Sequence, residues 1–405
     1  MTTILRSFVG ERLRDARLAR QMTATALAER VGVTSGSISH YEKRSVDPRP
    51  QVIARIATEL SLPETYFFRE VLGPDPAPYL YRSFAAPTKK ARESAEVRLR
   101  WLREILHFAI GAVDVPAVDI ADLGFPAHPA SLRPEDVESA ASDIRAKWKL
   151  GEGPIPNVLT LLESKGCCIT RFAFGANSLD AFSQYAQERP YVALNSEKGT
   201  AVRFRFDAAH ELGHLVLHRT VPANVAAQPE QHKLMERQAH RFAAAFLFPQ
   251  GSFRDEVYST SINTLITLKK RWKVSIQLMT RRARDLGLVS QDQYERSCRE
   301  ISRLGYRQSE PLDDELPVEK PTVLMKAIQL IVDHGEMTRF DLLSQLALSP
   351  VDVEILAQLP RGYLEHEDWG SVVELRPSPQ PHEVRVSANE TSAVSGNVLP
   401  FRRRP

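Results

Sequence analysis

The spacing of apolar residues along the chain predicts a mainly helical protein. Between 9 and 60 they recur at helical intervals in four short segments, 9–20, 24–31, 35–43 and 50–60. Leu27, Ala28 and Val31 form the inward face of the second segment, and Val52, Ile53, Ile56, Ala57 and Leu60 that of the fourth. Thr23 and Thr34 stand where helix N-caps belong, and Gly32 supplies a permissive backbone between them. The proline-rich stretch 73–82 reads as a linker. A long helix is predicted over 89–112, with Trp101, Ile105 and Phe108 on its apolar side. From 134 the pattern becomes mixed. Helices are expected at 134–149 and 156–164, followed by strand-like runs at 167–174, 180–186 and 191–195. Helical spacing returns at 200–218, at 231–247 and, in pieces, over 262–304. Further helices are predicted at 321–333, 338–347 and 350–358, and beyond 376 the polar, proline-rich sequence has the composition of a disordered tail.

At 405 residues the chain exceeds one ordinary core, so two or three domains are expected. The net charge of +3 gives no case for a polyanion partner by itself. The first 70 residues carry 11 Lys and Arg against 8 Asp and Glu, a mildly basic balance compatible with DNA. Three cysteines, two of them the neighbours Cys167 and Cys168, make no disulfide framework and read as small core residues. There is no apolar run of about 18 residues for a membrane span, and the start turns polar too early for a secretory signal. Together these features predict a cytoplasmic protein without membrane contact.

The third short helix, 35–43, is polar on its outer side and apolar behind. It could enter a major groove and present Ser37, His40 and Lys43, while the helix starts at Thr23 and Thr34 meet phosphates. The expected DNA-contacting set is Thr34, Ser35, Ser37, His40 and Lys43. The segment "TATALAERVGVTSGSISHYEKRSVDPRP" resembles the repressor-type helix–turn–helix family of the XRE class. Ala24 stands where that family often has a phosphate-binding Gln, and Arg44 where it usually has Gly.

The stretch "DAAHELGHLVLH", 207–218, carries different chemistry. His210 and His214 are four apart and share a helix face, so they can offer two imidazole nitrogens to one metal ion. Glu211 sits about 100° around, within reach of a water activated there. Gly213 leaves room beside His214. Val216 and Thr220 occupy the positions where metzincins carry Gly and a third His, which excludes that class. His218 lies off the ligand face, where packing or a hydrogen bond behind the ligands is expected. Glu230, His232, Glu236 and His240 are the downstream candidates for a third ligand. Glu236, early in the amphipathic segment "LMERQAHRFAAAFLFP", could complete a His/His/Glu set with one open position.

These segments, with "SLDAFSQYA", "YVALNSE", "LKKRWKVSIQLMTRRARDLGLVS" and "GYRQSEP", resemble the ImmA/IrrE metallopeptidase family over most of 126–311. The resemblance implies His210, His214 and Glu236 as metal ligands and Glu211 as general base. It implies Zn2+ as the cofactor, although such ligands also accept Mn2+. It further implies a regulatory endopeptidase that cuts a helix–turn–helix repressor in stress or phage and mobile-element control, with a DNA operator as second partner. A homodimer is left open. Tyr191, Asn195, Asp180 and Arg205 are either cleft residues or turn and strand residues. The competing readings are a transcription regulator whose metal site is structural or sensory, and a toxin–antitoxin or phage-type regulator acting by binding alone.

The expected fold class is α+β, mainly helical: a helix–turn–helix bundle, a zincin-like domain with a small sheet, and a helical C-terminal extension. The expected division is 1–72 for the DNA-binding domain, 73–125 for linker and long helix, and 126–311 for the peptidase domain. A helical appendage at 312–374 and the tail at 375–405 complete it.

Overall fold

The computed structural model describes residues 7–72, 79–83, 88–176, 178–197, 199–335 and 337–365. The expected tail at 375–405 and most of the expected linker lie outside the described residues. The fold is α+β and mainly helical.

The chain opens with α1 (Gly10–Ala19), α2 (Ala24–Val31), α3 (Ser35–Glu42) and α4 (Pro50–Leu60). Local chemistry sets their ends. The Thr23 and Thr34 side chains accept from the Ala26 and Ser37 amides, and Gly32 turns the chain at φ 69°. Arg44, at the position where the resembled repressors usually carry Gly, also takes a left-handed φ of 56°. Leu13, Leu27, Val31, Ile38, Ile56 and Leu60 bury themselves between these helices.

Next come β1 (Leu80–Ser83) and α5 (Lys89–Ala112). The stretch expected to be a linker thus ends in a strand. The central helix α5 anchors the N-terminal bundle. Trp101, fully buried, donates its indole N–H to Tyr66 Oη at 3.0 Å. Arg12 pairs with Glu104 at 2.7 Å, and Arg100 forks onto Asp15 at 2.6 and 3.3 Å.

The following region contains α6 (Pro134–Lys147), α7 (Val158–Ser164), β2 (Cys168–Phe172), β3 (Leu179–Ala186) and β4 (Arg189–Asn195). It continues with α8 (Ala201–Leu217), α9 (Ala223–Ala226), α10 (Pro229–Leu247), α11 (Gln250–Glu256), α12 (Ile262–Trp272), α13 (Ile276–Asp285) and α14 (Gln291–Arg303). The C-terminal helices are α15 (Val323–Asp333), α16 (Arg339–Leu346) and α17 (Pro350–Ala357).

The four strands form one sheet in the order β1-β3-β4-β2. β3 runs antiparallel to both β1 and β4, while β2 and β4 are parallel. Period-2 alternation splits the sheet's side chains between two cores. Phe172, Phe182 and Ala193 face a core shared with the N-terminal bundle, α5 and the C-terminal helices. Ile169, Ala181, Val192 and Leu194 face a second core built around α8 and α10. Cys167 and Cys168 are both buried but belong to opposite cores, so they form no dithiol site. Among the described residues no helix is long and apolar enough to cross a membrane.

Buried carboxylates join the C-terminal helices to this frame. Glu319 accepts from the Val158 and Leu159 amides at 2.8 and 3.1 Å, capping α7. Glu163, near the other end of α7, accepts from the Thr322 and Val323 amides at 3.0 Å, capping α15. Burial pushes the Glu163 carboxyl up to about 7, against the opposing pull of those amides. A raised pKa means that the folded state holds the proton more tightly than the unfolded chain. Its contribution to stability is therefore complete below the unfolded value near 4.5 and is lost as pH rises through about 7. Relative to Glu163→Gln, the parent chain should lose about 3 kcal/mol of stability across this window. Denaturant melts of both chains from pH 4.5 to 8 check this; parallel pH profiles would refute it.

Candidate metal centre

Helix α8 is buried along nearly its whole length, including every residue from Asp207 to Leu217. Its apolar surface is covered by the sheet on one side and by α10 on another. Close approach to α10 depends on Gly213. A Cβ there would come within 3.1 Å of Phe242 Cδ1 and 3.2 Å of Ala239 Cα. The small residues Ala239 and Ala243 serve the same purpose from the α10 side.

This packing brings His210, His214 and Glu236 together. Their ligand-type atoms lie within 4.8 Å of one another. His214 Nε2 is 2.9 Å from Glu236 Oε1, His210 Nε2 is 3.5 Å from Glu236 Oε2, and the two Nε2 atoms are 3.0 Å apart. Burial pushes the His210 imidazole well below its usual pKa. Burial opposes the Glu236 charge, but the two facing imidazoles hold its carboxyl well below the usual range. The set is therefore two imidazole nitrogens and one anionic carboxylate, converging on a single point. That donor chemistry fits a divalent cation such as zinc. Glu230 instead pairs with Lys233 at 3.2 Å, and neither His232 nor His240 belongs to the converging set. The His240 ring stands beside that of His210, with centroids 4.8 Å apart.

Glu211 is fully buried next to the pair. Ser183 Oγ donates to Glu211 Oε2 at 2.6 Å, from the β3 face that meets α8. Sequence reasoning missed Ser183. Its signal was the period of β3, which puts residues 181, 183 and 185 on one side. His218 lies behind His214, with the two Nδ1 atoms 3.0 Å apart, and its Nε2 is 3.0 Å from Gln238 Oε1. Burial pushes the His218 pKa down to about 3, so the ring is neutral at pH 7. Gln238 was also missed, because a Gln within an amphipathic helix carries no sign of its partner.

The other cleft candidates lie in structural roles. Tyr191 is buried in the core on the opposite side of the sheet. Asn195 holds the turn after Phe172, donating to Leu179 O and Ala176 O at 2.8 and 3.2 Å. Asp180 pairs with Arg203 at 2.6 Å, and Arg205 pairs with Glu319 inside the protein. In the N-terminal bundle, Thr34, Ser35, His40 and Lys43 are exposed and Ser37 is half-buried, with Ile38 fully buried behind them. The Thr34 hydroxyl is engaged in its cap, and His40 Nδ1 is 3.1 Å from Ser45 Oγ.

Residues 162–284 match the family model of the IrrE N-terminal-like domain, a peptidase family, and residues 9–65 match a helix-turn-helix domain. The chain joins a helix–turn–helix domain to an IrrE-like domain. The IrrE-like match covers β2, β3, β4, α8 through α12 and all but the last residue of α13, and so contains Ser183, His210, Glu211, His214, His218, Glu236 and Gln238. The helix–turn–helix match spans α1 to α4, with α3 carrying the exposed polar face. No curated protein matches the chain.

Proposed function

We propose that this protein is a zinc-dependent regulatory endopeptidase that cuts a helix–turn–helix repressor, in stress or mobile-element control, and whose own helix–turn–helix binds an operator. One observation carries the reading: two imidazoles from α8 and a carboxylate from α10 converge within 4.8 Å, and α8 also carries the buried Glu211. A divalent ion held there supplies a Lewis acid that polarises a peptide carbonyl and makes water acidic near neutral pH. His210 and His214 would supply imidazole nitrogens, and Glu236 the anion that favours a cation over water. Glu211, whose carboxylate accepts from Ser183, would take the proton of the attacking water and return it to the leaving amine. Water adds across the peptide bond, leaving a carboxylate and an amine. The helix–turn–helix would place this chemistry at the repressor's own site on DNA, through Ser35, Ser37, His40 and Lys43, with the α3 start at Thr34 toward phosphate.

A second reading has one observation in its favour. His210 and Glu211 are fully buried and His214 nearly so, and only Glu236 of the four has an appreciably exposed side chain, at 17%. A site this closed suits a sensory or structural metal without turnover. Incubation of the zinc-loaded full chain with repressors encoded beside its gene separates the two. New fragments by mass spectrometry, abolished by chelation and restored by zinc, are expected; an intact repressor held in a tight complex would defeat the peptidase reading.

A further inference from the structure

The strand β1 forms the edge of the sheet next to β3. It runs antiparallel to β3, with Leu80 opposite Ser183 and Tyr81 opposite Phe182. Residues directly opposite each other in an antiparallel pair point to the same face. Leu80 therefore shares the face of Ser183, whose hydroxyl donates to Glu211 Oε2 at 2.6 Å. The Leu80 side chain is buried against Val221, just past α8, and Met235, the residue before Glu236. Val225 and Ala226 of α9 complete this small apolar seat. Tyr79, one position earlier, lies across the sheet against Phe182, with ring centroids 6.1 Å apart. Strand alternation thus turns Leu80 toward the metal centre and its neighbour away from it.

β1 is an addition to the IrrE-like domain. The family match begins at residue 162 and contains β2, β3 and β4, whereas β1 comes from the segment between the helix–turn–helix and α5. It pairs over four residues only, and its register shifts between Arg82 and Ser83. So short a strand adds few backbone bonds. With β1 lifted away, β3 would present a row of unpaired N–H and C=O groups, the kind of edge that takes up an extended peptide as a further strand. A peptidase has to hold its substrate extended beside the metal and the base. The outer edge of β3 adjoins both, and a stretch of the protein's own chain already lies along it.

We propose that β1 is an internal occupant of the edge on which an extended peptide would bind, that Leu80 fills the seat of an apolar peptide side chain, and that the site stays shut until β1 is displaced. The inhibitory part rests on the peptidase reading. The full burial of His210 and Glu211 then describes the resting state of an enzyme rather than a site without turnover.

The test uses the full chain, Leu80→Asp and the milder Leu80→Ala, with a fluorescent synthetic peptide of residues 77–86 (APYLYRSFAA) as probe. An internal occupant lowers the apparent affinity for the probe by the fraction of time the edge is free. Metal-free Leu80→Asp should therefore bind the peptide at least about tenfold more tightly than the parent, with Leu80→Ala between them. A peptide carrying Asp in place of the leucine should bind none of them. Hydrogen exchange should quicken in 179–183 of Leu80→Asp while 189–195 stays protected, which distinguishes strand release from failure to fold; if both segments exchange, Leu80→Ala carries the test. A peptide that binds no chain, or binds all three equally, overturns the proposal. In the repressor incubation above, zinc-loaded Leu80→Asp should cut faster than the parent, and equal rates would overturn the inhibition alone. Peptide capture without cleavage by any chain would defeat the peptidase reading and still support the occupied edge, because the binding assay needs no metal.

Discussion

Glu211→Gln is expected to bind zinc as the parent chain does and to cut substrate about 10²- to 10⁴-fold more slowly. The substitution keeps the volume of a fully buried side chain, so no cavity opens in α8. Its amide oxygen can still accept the Ser183 hydroxyl that now reaches Glu211 Oε2 at 2.6 Å. What disappears is the basic carboxylate, while His210, His214 and Glu236 are untouched. Ser183→Ala provides the graded comparison: the carboxylate remains but loses its orienting donor, and a smaller drop in rate is expected. Cleavage assays paired with zinc affinity separate these cases. Undiminished cleavage by the Gln variant would take Glu211 out of the mechanism.

The parts of this arrangement that the sequence showed are those set by local chemistry. The predicted limits of α2, α4 and α5 coincide with the observed ones because Thr23, Pro50 and Thr88 mark their starts. His210 and His214 were legible because helical geometry alone puts residues four apart side by side. Glu236 was reached differently, through resemblance, since the distance between two helices is not written in either of them. The strand β1 was hidden because four residues offer too few alternations to register beside a proline-rich stretch. The same limit applies to Arg12–Glu104, Ser183–Glu211 and His218–Gln238, whose partners come from separate elements. A polar residue at an inward position shows only that some partner is required. For Asp180 and Arg205 the sequence left a cleft role and a structural role open, and each forms an ion pair, with Arg203 and Glu319 respectively.

Glu236→Ala should separate the metal from the fold. In the parent chain Glu236 is the one anion of the converging set and reaches both imidazoles, at 2.9 and 3.5 Å. Removing it leaves two imidazole nitrogens 3.0 Å apart, with no negative charge to offset the dehydration of a divalent cation. The expected loss of zinc affinity exceeds the 10- to 100-fold typical of an outer partner. The side chain is 17% exposed and sits at the edge of the packed helix pair, so the metal-free protein should remain folded. The two effects appear in one measurement. At a zinc concentration about 100 times the parent Kd, ligand binding raises stability by about 2.7 kcal/mol, and most of this rise should vanish in the variant while the metal-free melt barely moves. Operator retention by the same variant then bears on the choice between readings. The helix–turn–helix packs in the core on one side of the sheet and the metal site lies on the other. A peptidase that merely rides on its DNA-binding domain should keep its operator after losing zinc, whereas a metal sensor should release it.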